Sequence, residues 1–155
     1  MQTEFLDLIG LVERLHRQCL EMIKADLESQ GTRDLSNVQA LILFNIGEEE
    51  LSMGELTNRG YYLGSNVSYN IKKMIENGYM TQHRSPHDRR SFYVRATDKG
   101  LAVYARISTL FDEHTAQLEQ GQLDEAGLDA ANETLRLVQS FWSAASIPSR
   151  ALASA

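Results

Sequence analysis

The stretch that decides the fold is residues 65–96, SNVSYNIKKMIENG followed by YMTQHRSPHDRRSFYVRA. In its first part apolar residues recur every three or four positions, which is typical of an amphipathic helix ending at Gly78. These apolar residues are Val67, Ile71, Met74 and Ile75. The second part has two short runs rich in aromatic and β-branched residues, 79–84 and 91–96, around a proline-containing turn. We therefore predict a helix over 65–77 followed by a β-hairpin with a basic tip.

The sequence upstream of this stretch predicts three more helices. Apolar residues at alternating three- and four-residue steps indicate a long first helix. Ser36 is a typical N-cap of a second helix, and Ser52 with Glu55 three residues later is typical of a capping box that begins a third. The predicted elements are helices over 4–30, 38–46 and 52 to about 59, then a turn over 60–64.

Two long helices are predicted after the hairpin. Thr97 is the expected cap of the first, which extends to about Gln120, and Pro148 is expected to end the second, which begins near residue 124. The last helix has one apolar stripe, formed by Leu128, Ala131, Leu135, Val138 and Trp142. The expected fold class is mainly α with a small β-hairpin wing. We predict one domain over 1–155, with a winged helix-turn-helix lobe over 36–100 and dimerisation helices over 4–30 and 101–147.

Charge is distributed unevenly along the chain, whose net charge is −6. Between Thr57 and Arg95 there are seven basic and two acidic residues, a net charge of +5, so the remainder carries −11. Such an asymmetry is typical of one surface that faces a polyanion on an otherwise acidic protein. The acidic run Glu48–Glu50 is expected to be a solvated loop opposite that surface.

A short helix, a turn, a second helix and a hairpin follow one another in the order of a winged helix-turn-helix. The major groove, about 12 Å wide, admits one α-helix, and a hairpin beside it can reach the minor groove. Polar residues on the outer face of the second helix can then contact bases or phosphates, and arginines of the hairpin can enter the minor groove. The candidate DNA-binding residues are Ser65, Asn66, Ser68, Tyr69, Lys72, Lys73, Arg84, Arg89 and Arg90.

Two segments resemble the MarR family of transcriptional regulators. Residues 88–100, with Asp88-Arg-Arg90 before Ala96-Thr97-Asp-Lys-Gly100, are similar to its wing signature D-x-R-x5-L-T-x-x-G, except that alanine replaces leucine at 96. Residues 74–80, MIENGYM, resemble the exit from its recognition helix. The resemblance implies a homodimeric regulator, usually a repressor, that binds a pseudo-palindromic operator in double-stranded DNA through intertwined terminal helices. It also implies that Asp88 braces Arg90 and that an arginine at the wing tip enters the minor groove.

The resemblance further implies a small-molecule effector, because members of the family often have a pocket where the dimerisation helices meet the DNA-binding lobe. Candidate ligand-binding residues are His16, Cys19, Leu20, Ile23, Phe44 and Tyr62. Each of them is also compatible with an ordinary place in the core. Two alternatives remain open: a redox-sensing regulator that acts through Cys19, and a winged-helix module that binds proteins and not DNA.

Other classes of protein find no support in the sequence. A single cysteine excludes an internal disulfide and a multi-cysteine zinc site. The chain has no phosphate-binding glycine loop and no nucleophile elbow, so we expect neither an enzyme nor a bound cofactor or metal. No apolar run approaches the roughly 18 residues that a membrane span needs. The acidic start, Met1 to Asp7, is unlike a secretory signal, and we expect a cytoplasmic protein.

Overall fold

A computed structural model describes residues 1–59, 64–88, 90–121 and 123–145, without the side chain of residue 65. In chain order the elements are α1 (Gln2–Ser29), α2 (Asn37–Ile46), β1 (Leu51–Ser52), α3 (Met53–Asn58), α4 (Gly64–Glu76), β2 (Met80–Arg84), β3 (Phe92–Ala96), α5 (Asp98–Glu119) and α6 (Glu125–Ala145). The predicted mainly helical fold with a β-hairpin is confirmed. None of the helices in the described ranges is both long and apolar enough to cross a membrane.

The N-termini of α2 and α3 are fixed by the two capping residues that the sequence indicated. The Ser36 hydroxyl accepts the backbone N–H of Gln39 at 3.2 Å, and the Gln39 side chain accepts the backbone N–H of Ser36 at 3.0 Å. Ser52 and Glu55 make the same reciprocal pair at 3.1 and 2.7 Å. Each box satisfies two backbone donors that would otherwise lack partners, so both helices begin at defined residues.

The hairpin belongs to a three-stranded antiparallel sheet in the order β1-β3-β2. The sequence does not indicate β1, since two residues are too few to show the alternation of a strand. Leu51 of β1 is paired with Val94 of β3, and both side chains are buried. The third strand therefore attaches the hairpin to the segment that leads into α3.

The predicted turn over 60–64 is wrong at its last residue. Gly64 is the first residue of α4, so the helix begins one residue earlier than predicted. Residues 60–63 lie outside the described part of the chain, as do 146 and 147 at the predicted end of the last helix.

Contacts between Cα atoms divide the chain into two compact units, residues 1–110 and 111–155. The single domain predicted over 1–155 therefore stays a prediction. Within the first unit, the apolar faces of the helices and the sheet share one core. Its fully buried side chains include Ile23, Leu43, Met74, Val94 and Ile107.

A charged pair connects α1 to α5 within the first unit. The Arg106 guanidinium donates to both carboxylate oxygens of Asp26 through Nε, at 3.1 and 3.0 Å, and also through Nη2. The Asp26 side chain is buried, whereas that of Arg106 is partly exposed. A buried carboxylate needs such a partner because an unpaired charge away from water is costly. The pair thus fixes the C-terminal half of α1 against α5.

In the second unit, α6 is amphipathic but contains no buried residue. Its large apolar side chains stay exposed, including those of Leu128, Leu135, Leu137, Phe141 and Trp142. The first half of α1 in the other unit also exposes apolar side chains, among them Leu6, Leu11 and Leu15. Both segments thus present apolar surface that the single chain leaves in contact with solvent.

Candidate nucleic-acid interface

Helix α4 has one buried and one exposed face. Val67, Ile71 and Met74 are buried at 3% exposure or less. The exposed positions include Asn66, Ser68, Tyr69, Lys72 and Lys73. Tyr69 is the large aromatic side chain on this face, with 62% of its surface exposed. The helix therefore presents amides, hydroxyls, a phenol and two ammonium groups outward, which are the groups that contact phosphates and base edges.

The two lysines of α4 differ in their surroundings. The Lys73 ammonium lies 3.1 Å from a carboxylate oxygen of Glu76, whose charge and hydrogen bond raise the pKa of Lys73. The charge of Lys73 is therefore partly balanced on the helix itself. Lys72 is exposed and lines an open groove of about 420 Å³ between α4 and the sheet. Other residues that line this groove are Met53, Ser68, Ile71, Ile75, Gln82 and Phe92.

The turn of the wing (residues 80–96) is fixed by two short polar side chains. The buried Ser85 hydroxyl accepts the backbone N–H groups of His87 and Asp88 at 3.2 and 3.3 Å. One Asp88 oxygen accepts the backbone N–H of Arg90 at 2.9 Å, and the other accepts the Ser91 hydroxyl at 2.8 Å. These bonds lower the pKa of Asp88. The Asp88 side chain thus contacts the backbone of Arg90 and holds the turn on which Arg90 lies.

The arginines of the wing are placed differently. Arg90 is exposed at the tip, and Arg84 is exposed on β2. The Arg84 guanidinium lies 5.6 Å from the centre of the Phe92 ring, its direct partner on β3. A cation over an aromatic face is held in place without losing its charge. Arg84 is therefore a positioned cation at the side of the wing, while Arg89 lies outside the described residues.

The acidic run Glu48–Glu50 is exposed, as expected, but it does not lie opposite the wing. A carboxylate oxygen of Glu50 is 2.7 Å from Nε2 of His83 on β2, and the His83 ring stacks on Tyr93. Glu49 pairs with Arg59 at 2.5 Å. The expectation was wrong because β1 carries the loop to the side of the hairpin, a strand that sequence periodicity did not indicate.

A network at the exit of α4, which sequence reasoning missed, joins it to the α1–α2 loop and to α5. Asp34 accepts the Tyr79 hydroxyl at 2.6 Å, the Lys99 ammonium at 3.2 Å and, through its backbone carbonyl, the Asn77 amide at 2.8 Å. The Lys99 ammonium also lies 4.1 Å from the centre of the Tyr79 ring. We call Asp34, Asn77, Tyr79 and Lys99 the exit network.

The exit network changes the acidity of two of its members. The hydrogen bond from Tyr79 is the largest cause that lowers the pKa of Asp34, with help from Lys99. Burial, followed by the bond to Asp34 and its charge, raises the pKa of Tyr79 to about 12. Both groups therefore remain in their hydrogen-bonding forms, carboxylate and phenol, at neutral pH.

The candidate ligand-binding residues are not equally accessible. His16 is exposed, Cys19, Leu20 and Phe44 are half-buried, and Ile23 is fully buried in the core. Phe44 stacks on Tyr104 of α5 at 5.8 Å between ring centres. Tyr62 lies outside the described residues. Burial raises the pKa of the Cys19 thiol, which lowers the fraction of reactive thiolate.

An open groove of about 690 Å³ lies where the end of α1 meets the start of α2. The residues that line it include Glu21, Lys24, Thr32, Arg33 and Asn37. Within the described ranges, no three His, Cys, Asp or Glu side chains are grouped as a metal ion would need.

The α3–α4 pair, followed by a hairpin wing that pairs with β1 in a three-stranded sheet, defines the class of winged helix-turn-helix DNA-binding proteins. Residues 35–100 match the family described as "Winged helix DNA-binding domain". The exopolysaccharide II synthesis transcriptional activator ExpG of Rhizobium meliloti is 33% identical over 138 residues, which are 89% of this chain and 71% of that protein. The chain belongs to the MarR family of winged-helix transcriptional regulators. It is a DNA-binding regulator of transcription and not an enzyme.

Solved structures have the same fold. A MarR transcriptional regulator from Methanosarcina mazei superposes with a TM-score of 0.71 at 20% identity, over 90% of this chain and 98% of that one. FabT of Streptococcus pneumoniae, solved in complex with DNA, superposes with a TM-score of 0.68 at 16% identity, over 90% of this chain and 97% of FabT.

Proposed function

We propose that this protein binds a pseudo-palindromic operator in duplex DNA as a homodimer, with α4 in the major groove and the wing in the minor groove. The observation that carries this proposal is the exposed polar face of α4 next to a wing whose tip arginine, Arg90, is exposed. Ser65, Asn66, Ser68, Tyr69 and Lys72 would read or flank the bases. Lys73, Arg84, Arg89 and Arg90 would neutralise phosphates or enter the minor groove.

The dimer is supported by the apolar surface of α6 and of the first half of α1. Exposed apolar stripes on two long helices are typical of surfaces that pack against another chain. A two-fold symmetric dimer presents two copies of α4, and half-sites one helical turn apart would match them. A protein that acts on chromosomal DNA in this way would act in the cytoplasm.

We propose repression as the result of operator binding, because a dimer that covers a promoter blocks access to it. Activation is the second candidate, favoured by the likeness to ExpG, a transcriptional activator. The position of the operator relative to the promoter would distinguish them. A reporter gene whose expression rises when this regulator is deleted would support repression, and a fall would support activation.

We further propose that a small ligand modulates DNA binding at a site where α1 meets the lobe, formed by His16, Cys19, Leu20, Ile23, Phe44 and Tyr62. Redox sensing through Cys19 is the weaker alternative, because burial raises the pKa of its thiol. Ligand modulation couples two sites, so a bound effector and bound DNA would change each other's affinity by the same factor.

The central test compares variants of the wing with variants of the helix. Operator sequences are first selected from random duplex DNA, and affinities for operator and for random duplex are then measured over a range of salt concentrations. Arg89→Ala and Arg90→Ala should weaken binding to both DNAs by about tenfold and make the salt dependence shallower. Asn66→Ala and Tyr69→Ala should weaken operator binding by about 1–3 kcal/mol and leave binding to random duplex nearly unchanged.

Lys24→Ala is the matched control, because it also removes one positive charge from an exposed position, in the half of α1 outside the proposed dimer surface. It should leave both affinities as they are. An affinity for DNA that does not change with salt concentration, or an acidic protein partner that competes with DNA for the wing, would instead support a protein-interaction module. Wing variants with unchanged affinity would contradict the proposed position of the hairpin.

A further inference from the structure

A buried amide of α2 is bonded directly to the recognition helix. The Gln39 side chain, in a residue that is only 8% exposed, donates from Nε2 to Oδ1 of Asn70 on α4 at 3.2 Å. The two residues are 31 positions apart in the chain. On α4, Asn70 lies between the buried residues Val67 and Ile71 in the sequence.

Each of these two side-chain amides accepts a hydrogen bond through its oxygen and donates one through its nitrogen, which fixes the orientation of the amide. Oε1 of Gln39 accepts the backbone N–H of Ser36 at 3.0 Å, within the capping box of α2. Nδ2 of Asn70 donates to the backbone carbonyl of Asn66, one turn earlier on α4, at 2.9 Å. The bonds therefore run without a break from the start of α2 to the first turn of α4. Removing the Gln39 amide leaves the Ser36 N–H and Oδ1 of Asn70 without this partner, and both of those bonds are partly buried.

The same start of α2 is also bonded to α1. Nδ2 of Asn37 donates to the backbone carbonyl of Leu20 at 3.0 Å, and Oδ1 of Asn37 accepts the backbone N–H of Val38 at 2.8 Å. The position of α2 is thus set by α1 at one end of this path, and α4 is bonded to α2 at the other.

We propose that Gln39 is a positioning residue that sets the rotation of α4 about its axis through Asn70. Apolar packing of Val67 and Ile71 is non-directional and by itself tolerates small rotations of the helix. A hydrogen bond is directional, so the bond to Asn70 selects one rotation. That rotation decides where the exposed Asn66 and Tyr69 point. The inference deepens the proposed function, since it rests on base contacts made by the outer face of α4.

The test measures the ratio of operator affinity to random-duplex affinity. Gln39→Met keeps the length of the side chain and removes both of its hydrogen bonds. We expect this ratio to fall by about tenfold, while affinity for random duplex changes less than twofold. Asn70→Ala should lower the ratio equally. The double variant should lower it no further, because both substitutions break the same connection.

Gln39→Glu tests the bond to Asn70 separately from the capping bond to Ser36. Its carboxylate still accepts the Ser36 N–H but cannot donate to Asn70, so the ratio of affinities should again fall. This variant tests the inference in case Gln39→Met does not fold. Gln30→Met, at an exposed glutamine after α1, is the matched control and should leave the ratio unchanged. Thermal unfolding of each variant shows whether stability alone has changed.

Two results would overturn the inference. If the Gln39 variants are less stable but keep the ratio, Gln39 supports the fold without positioning α4. If only Asn70→Ala lowers the ratio, Asn70 contacts DNA itself. Failure of the proposed function is a separate result, because Asn66→Ala and Tyr69→Ala would then leave the ratio unchanged as well.

Discussion

The winged-helix lobe (residues 35–100) and α6 differ in the burial of their apolar residues. In the lobe, the apolar faces of α2, α4 and the sheet are buried, and Leu43, Met74 and Val94 are fully inaccessible. In α6, no residue is buried, and Phe141 and Leu137 keep 68% and 67% of their surface exposed. The lobe therefore shares a buried core with parts of α1 and α5, whereas α6 is an amphipathic helix with no buried residue.

This difference indicates where each region obtains its stability. Burial of apolar area is the dominant favourable term in folding, so the lobe is stabilised by contacts made within the single chain. A helix with exposed apolar residues gains that term only when another surface covers it. Substitutions in the lobe should therefore affect unfolding directly, and substitutions on α6 should affect association.

The largest expected effect comes from a methyl group added inside the lobe. A Cβ at Gly100 would lie 2.1 Å from the backbone carbonyl oxygen of Tyr79 and 3.2 Å from Leu43 Cδ2. Because the nearest atom belongs to the backbone, the start of α5 and the exit of α4 would have to separate. We expect Gly100→Ala to destabilise the protein by about 3 kcal/mol. Denaturant unfolding at fixed protein concentration measures this.

Gly54→Ala is the matched control for that substitution. A Cβ at Gly54 meets only the Ser52 hydroxyl, at an ordinary 3.8 Å. Since alanine favours a helix over glycine, Gly54→Ala should be neutral or slightly stabilising. Equal stability of the two variants would show that α5 does not approach Tyr79 so closely.

The second effect is expected on α6. Leu128→Glu combined with Leu135→Glu places two charges on its apolar stripe. Burying a leucine contributes about 1.5–3 kcal/mol, so the double variant should weaken the proposed dimer at least about a hundredfold. Light scattering should give twice 17.5 kDa for the wild type and 17.5 kDa for the variant.

Ser140→Glu adds a charge to another exposed face of the same helix and is the control for this experiment. It should leave the dimer intact. A double variant that stays dimeric would show that this stripe does not carry the association, and a monomeric wild type would contradict the dimer itself.

The elements of the lobe could be predicted because local signals determine them. Ser36 and Ser52 begin helices at the residues that the capping pattern indicated, and Gly31, Gly47 and Gly78 have the positive φ angles of helix ends. The buried face of α4 followed from the period of Val67, Ile71 and Met74. Such signals lie within a few residues of one another, so the sequence displays them directly.

Contacts between distant positions could not be predicted in the same way. The bond from Gln39 to Asn70 and the exit network around Asp34 join residues 31 to 65 positions apart. Gln39 stands three residues after Ser36, as in a capping box, but that pattern does not indicate the bond to Asn70, and Asp34 stands in no pattern that differs from that of a surface residue. The position of the acidic run beside His83 was missed for the same reason, because it depends on the pairing of β1 with β3.

The smallest expected effect tests the exit network through pH. Tyr79→Phe removes the 2.6 Å hydrogen bond to Asp34, and we expect a loss of about 1 kcal/mol at neutral pH. The pKa of Tyr79 is raised from about 10 to about 12 in the folded protein, so its contribution is complete below pH 10 and is lost as pH rises toward 12. The pKa of Asp34 is lowered, so its contribution is present above about pH 4 and is lost as pH falls further.

The free energy of unfolding of wild type and Tyr79→Phe should therefore differ by a constant amount between about pH 5 and 9, and the difference should shrink above pH 10. Tyr93→Phe, which removes a phenol from the wing, should leave the alkaline loss in place because Tyr79 is unchanged. Unfolding curves measured at fixed protein concentration from pH 4 to 11 check both statements. A difference that persists unchanged at pH 11 would mean that the hydroxyl of Tyr79 does not donate to Asp34, and that the exit network is held by its Asn77 and Lys99 bonds without it.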